Sequence, residues 1–216
     1  MADRSPAALR DALRVYLVTP DAWGTRAEDV TITEGLLRAG LRVVQFRDKS
    51  AAPRQRERAQ QLQALCHAHG ALFLVNDDPN LALELDADGV HVGASDASVR
   101  EARAILGPDK IVGATAGALA RALRALEEGA DYLGVGAIFD AAPSKADAQT
   151  RGPAILRALR EEPLLHAFPI VAIGGIDTSN AGECFAAGAD GVAMIRGLWH
   201  AKDPESTIAA LRAPLS

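Results

Sequence analysis

Short β-branched apolar runs alternate with longer Ala/Leu-rich stretches of helical spacing along the whole chain. The runs RVYLVT, RVVQF, LFLVN, GVHVG, KIVGAT, DYLGVGAIF, PIVAIGGI and DGVAMI predict strands. Between them AEDVTITEGLLRAG, RQRERAQQLQALCHAHG, ASVREARAILG, GALARALRALEEG, GPAILRALREE and TSNAGECFAAG predict helices. A shorter helix follows Pro79, and PESTIAALRA closes the series. Gly40, Gly70, Gly129 and Gly188 end helical units, where a left-handed C-cap calls for glycine. Apolar strands separated by helices indicate a parallel sheet covered on its outer face. That pattern in 216 residues predicts an α/β fold, a (β/α)8 barrel forming a single domain over 1–216. An open doubly wound sheet is the alternative. The recurring Gly-Ala-Asp at 129–131 and 188–190, echoed by Asp86-Ala87-Asp88-Gly89, suits a helix-end turn feeding a strand.

Within this pattern VVQFRDKS, Val43 to Ser50, is anomalous. Val44 and Phe46 suit packing against outer helices, which turns Val43, Gln45, Arg47 and Lys49 toward the barrel axis. Polar groups at the C-terminal end of a barrel strand lie where active sites of this fold are built. Other strand ends repeat the theme with Asn76, Asp77 and Asp78, with Asp96, with Thr115, and with Ser144 and Lys145 in the loop after the sixth strand. Gly174-Gly175 and Ile195-Arg196-Gly197 end the seventh and eighth strands, where bare backbone N–H groups can approach a phosphate. Arg47 suits a bidentate grip on phosphate, and Lys49 and Lys145 act as point charges. Carboxylates at Asp77 and Asp96 would repel an anion unless a hard divalent cation lies between them. Mg²⁺ is held in this way, by one or two carboxylates together with substrate phosphate oxygens. Asp78 or Asp96 has the simpler alternative of capping the next helix.

Composition narrows the field. A net charge of -5 argues against a nucleic-acid partner, whose site would be basic. No apolar run reaches the roughly 20 residues of a membrane span, the start MADRSPAALRDALR lacks a secretory core, and two cysteines make no disulfide framework. A cytoplasmic location is the expectation.

YLVT (16–19), VVQFRDK (43–49), LVNDD (74–78), ADGVHVG with Asp96, GAT (113–115), GADYLGVGAIF with SKADA (144–148), and PIVAIGGI with GADGVAMI run in order over nearly the whole chain. This ordered set resembles the thiamine phosphate synthases and their thiazole tautomerase relatives. The resemblance implies Mg²⁺-dependent coupling of a hydroxymethylpyrimidine diphosphate to a thiazole phosphate, giving thiamine phosphate and diphosphate. It also implies that Gln45, Arg47, Lys49 and Asn76 hold the diphosphate, completed by Thr115 and Lys145, with Ser144 as a further substrate-binding residue. Asp77 and Asp96 would ligate Mg²⁺. Gly175, Ile195 and Arg196 would bind the thiazole phosphate. The partners implied are small-molecule substrates, with homo-oligomerisation left open.

The chain departs from the family pattern at Ala94, at Thr115 in place of the usual serine, at Arg196, and most in the loop Asp140-Ala141-Ala142-Pro143-Ser144-Lys145. Residues 140–151 are expected to form a lid. A tautomerase should carry a histidine after the fifth strand, where GATAGA has none. A non-catalytic barrel that binds a phosphorylated ligand would use the same cations. His67 and His69 are expected to be exposed on a helix, pointing in different directions, and His91 to be a hydrogen-bonded core residue. Cys66 and Cys184 read as small packing residues.

Overall fold

The computed structural model describes residues 5–20, 26–48, 52–93, 96–139 and 150–213. Parallel strands β1 (Val15–Val18), β2 (Val43–Phe46), β3 (Leu72–Asn76), β4 (Gly89–Val92), β5 (Ile111–Thr115), β6 (Tyr132–Val135), β7 (Ile170–Ile173) and β8 (Gly191–Met194) follow one another around a closed barrel. Tyr16 pairs with both Val43 and Ala193, so β1 joins β2 on one side and β8 on the other. This closure excludes the open sheet.

Strand alternation separates two cores. Val15, Leu17, Val44, Phe46, Phe73 and Val75 pack outward against helices. Tyr16, Val18, Val43, Leu74, Ile111, Tyr132, Val171 and Ala193 fill the interior. Val43 and Val44 therefore fall on the sides that the alternation predicts.

The outer layer comprises α2 (Arg26–Arg38), α3 (Ala52–Ala68), α4 (Pro79–Glu84), α5 (Val99–Leu106), α6 (Leu119–Glu127), α7 (Ala154–Arg160), α8 (Ala181–Ala186) and α10 (Pro204–Arg212). Two helices were not anticipated, α1 (Pro6–Leu13) and the short α9 (Arg196–Trp199). The Ser5 side chain caps α1 by accepting from the Ala8 N–H, and Leu9 and Leu13 press into the interior cluster. So α1 stoppers the N-terminal end of the barrel. The strand β6 is also shorter than its apolar run. Beyond Val135, the Ile138 and Phe139 N–H groups donate to Ile173 and Gly174 carbonyls, which folds the run against the end of β7. Gly40, Gly70, Gly129 and Gly188 all have positive φ.

The repeated aspartates have a shared structural task. Asp88, Asp131 and Asp190 each accept, through Oδ2, the N–H of Phe73, Val112 and Ile170 at 2.7–2.8 Å. Their own N–H groups donate back to the carbonyls of those residues. Each carboxylate also pairs with a basic side chain, His67, Arg103 and Arg160 respectively. Asp190→Ala, which would leave the Ile170 N–H without its carboxylate acceptor and remove the ion pair with Arg160, is expected to cost about 2–3 kcal/mol in denaturant unfolding. His67 is exposed as expected, whereas His69 is half-buried. Burial pushes the Cys66 thiol up to about 12 and that of Cys184 up to about 11, which suits inert packing groups. Among the described residues no helix is long and apolar enough to cross a membrane.

Candidate active site

Inward alternation carries polar residues to the C-terminal mouth of the barrel. Gln45, Arg47, Asn76, Asp77, Thr115 and Ile195 line one cavity of about 700 Å³, counting its open mouth. Gln45 and Arg47 are only 5% and 8% exposed, so both polar groups are presented to the cavity and little to bulk water. The backbone under Arg47 is clamped. Its N–H donates to Thr19 Oγ1 at 2.7 Å, and the Thr19 hydroxyl donates to its carbonyl at 2.9 Å.

Asp77 directly follows β3 in a left-handed conformation, φ 65°, which a residue with a Cβ adopts at an energetic cost. Its N–H donates to the His91 carbonyl at 2.8 Å, which ties the turn to β4. Asp78 takes the capping task, accepting from Asn80 and Leu81 N–H groups at the start of α4. Ser98, not Asp96, caps α5. The Asp96 carboxylate is exposed and accepts at 3.0 Å from the N–H of Gly93, itself a cavity-lining residue. Two hard carboxylate donors therefore stand at neighbouring strand ends with no capping duty, a donor set of the kind that suits Mg²⁺ together with ligand phosphate oxygens.

On the opposite rim, Gly174 and Gly175 have φ of 102° and 65°, conformations that glycine adopts without strain. Asn180 Nδ2 donates to the Gly175 carbonyl at 2.9 Å and fixes this turn. A Cβ at Gly197 would lie 3.1 Å from the Ile176 carbonyl, so glycine there lets the turn after β8 sit against the turn after β7.

A scan of family models matches residues 15–198 to thiamine monophosphate synthase. The chain belongs to this family. It is 46% identical to the thiamine-phosphate synthase of Thioalkalivibrio sulfidiphilus, over 92% of this chain and 93% of that one. It is 44% identical to the thiamine-phosphate synthase of Alcanivorax borkumensis, over 92% and 90%. Among solved structures, the thiamine phosphate pyrophosphorylase of Pyrococcus furiosus superposes with a TM-score of 0.80 at 35% identity, over 94% of this chain and 96% of that one.

Of the residues picked out for this family, Gln45, Arg47, Asn76, Asp77, Thr115 and Ile195 meet at the cavity wall. Asp96 reaches it through Gly93. Gly175 and Arg196 flank the wall without lining it, and the Arg196 side chain is exposed. Lys49, Ala94, Ser144, Lys145 and residues 140–149 of the expected lid lie outside the described residues. Where that segment rejoins the barrel, Arg151 and Gly152 N–H groups donate to Ala137 and Ile138 carbonyls.

Sequence reasoning missed Tyr16 and Tyr132 and undervalued His91. His91 is hydrogen-bonded as expected, yet it also lines the cavity. The overlooked signal was the same alternation that turns Gln45 inward, applied to β1, β4 and β6.

Proposed function

We propose that this chain is a thiamine phosphate synthase, an enzyme that transfers a pyrimidinylmethyl group from its diphosphate to the ring nitrogen of a thiazole phosphate. The observation that carries this reading is one cavity wall on which a buried arginine, a strand-end aspartate and a threonine hydroxyl converge, in a chain of this family. The C–O bond to the diphosphate breaks first, and its electron pair leaves with the diphosphate. The electron-rich aminopyrimidine stabilises the methylene cation that remains. The thiazole nitrogen lone pair then closes the new C–N bond, with loss of CO₂ where the thiazole bears a 2-carboxylate.

Such a path needs no strong nucleophile from the protein. It needs preorganised positive charge and hydrogen-bond donors where negative charge develops, which Arg47 and Thr115 supply. Lys49 and Lys145 are assigned to the same task. Asp77 and Asp96 are assigned to Mg²⁺, which when bound would neutralise charge on the diphosphate oxygens. The glycine turns after β7 and β8 are assigned to the thiazole phosphate, which holds the second ring in line for attack. The buried, closely packed barrel interior below keeps out water that would trap the cation. The substrates are small molecules, and the expected cytoplasmic location belongs to this reading.

The tautomerase alternative lacks its proton-transferring side chain after β5. Gly117 stands there, with the Arg151 guanidinium packed where a Cβ would go.

The deciding assay combines purified protein, both heterocyclic substrates and Mg²⁺, and follows thiamine phosphate and diphosphate together. Equal release of both products, abolished by EDTA and restored by Mg²⁺, is expected. Conversion of a lone thiazole phosphate without pyrimidine would transfer the chain to the tautomerase branch, and ligand binding without turnover would make it a non-catalytic barrel.

A further inference from the structure

Beneath the cavity a continuous chain of hydrogen bonds crosses the barrel interior. Gln45 Nε2 donates to the Tyr16 hydroxyl at 2.5 Å, and the two phenols of Tyr16 and Tyr132 meet at 2.8 Å. Tyr132 meets His91 Nδ1 at 2.9 Å, and His91 Nε2 meets Thr115 Oγ1 at 3.0 Å. The barrel is shaped around these rings. A Cβ at Gly113 would fall within the Tyr132 phenol, and one at Gly134 would lie 2.8 Å from His91 Cε1. Glycine at these inward positions of β5 and β6 makes room for the chain.

We infer that Tyr16, Tyr132 and His91 are positioning residues that together aim the Thr115 hydroxyl as a donor into the cavity. Hydrogen counting gives the direction. An amide nitrogen only donates, so Tyr16 oxygen accepts from Gln45. Among the described residues the Tyr16 hydrogen has only the Tyr132 oxygen to go to, and the Tyr132 hydrogen, so displaced from Tyr16, goes to His91 Nδ1. That nitrogen is an acceptor, so the neutral imidazole carries its hydrogen on Nε2 and donates it to Thr115 Oγ1. With its oxygen already accepting, Thr115 turns its own hydrogen toward the cavity.

Burial raises the pKa of both phenols well above the ordinary value, so each keeps the hydrogen that the count requires. A cationic His91 would donate from both nitrogens and leave one hydrogen of the Tyr16–Tyr132 pair without an acceptor among the described residues. The polar floor thus has one self-consistent polarity, and it ends at the hydroxyl assigned above to the departing diphosphate. Bonds in such a chain polarise one another, which makes the terminal donor stronger than an isolated hydroxyl.

This inference rests on the synthase reading, and two measurements separate the failure of one from the failure of the other. The first needs no substrate. In protein labelled with ¹⁵N-histidine, long-range ¹H–¹⁵N spectra should show His91 as the Nε2–H tautomer. Its signals are identified among the five histidines by their loss in His91→Gln. In Tyr132→Phe the Nε2–H form should lose its dominance. A wild-type His91 in the Nδ1–H form, or a tautomer unmoved by Tyr132→Phe, overturns the relay even if the enzyme turns over.

The second is a double-mutant cycle on turnover. Tyr132→Phe should lower kcat about tenfold, the scale of one misdirected hydrogen bond, with KM little changed. In a Thr115→Val background the same substitution should cost less than about twofold, because the hydroxyl it directs is gone. Full additivity would reduce Tyr132 to a packing residue. Absence of turnover in the wild type, with the tautomer as expected, would leave the relay standing and remove the synthase reading.

Discussion

Arg47→Ala is expected to lower kcat at least ~100-fold, the scale for removing one preorganised electrostatic contact from a transition state. Arg47 lines the cavity and is only 8% exposed, so its charge acts where water screens it little. The fold should survive the change. The clamp between Arg47 and Thr19 uses only the arginine backbone, so alanine retains both hydrogen bonds and the strand end keeps its course. The loss should therefore appear in kcat, with near-unchanged far-UV circular dichroism. Arg47→Lys keeps a point charge without the planar fork, and should recover no more than about tenfold. Near-wild-type turnover in Arg47→Ala would remove this residue from the leaving-group site.

Asp77 gives a second large effect with a built-in control. Asp77→Ala and Asp77→Gly both delete the carboxylate, and each should lower kcat at least ~100-fold at fixed Mg²⁺. Their stabilities should differ. The residue sits at φ 65°, where alanine keeps the clash of its Cβ and glycine has none, so the glycine variant should be more stable than the alanine one by about 1 kcal/mol. In a domain of this size that corresponds to roughly 2–4 °C in Tm. Equal activity loss with unequal stability would show that the backbone strain at this turn is retained for the carboxylate it presents. A fully active Asp77→Gly would mean that the turn serves the fold alone.

The amino-acid pattern by itself determined a parallel sheet of eight strands covered by helices, because continuously apolar strands must be buried on both faces, and the pairing of β1 with β8 decided that it closes. It also assigned Val43 and Val44 to opposite faces, since side chains alternate along a strand with a period of two. The same period turned Gln45, Arg47, Asn76 and Thr115 inward. Loop residues were less legible. Asp78 and Asp96 were interchangeable as caps on paper, and the structure separates them because Ser98 lies closer to the start of α5 with a matching Glu101. The stopper helix α1 announced itself only through packing, since eight residues of modest amphipathicity become a helix when Leu9 and Leu13 find the open barrel end.

Only the tertiary structure decided that Gln45, Tyr16, Tyr132, His91 and Thr115 form one chain of hydrogen bonds. These residues come from five different strands, and no local spacing encodes which inward side chains meet across the axis. That depends on strand register and on which neighbours are glycine. Gly113 and Gly134 are the positions where the barrel leaves room for a phenol and an imidazole to meet.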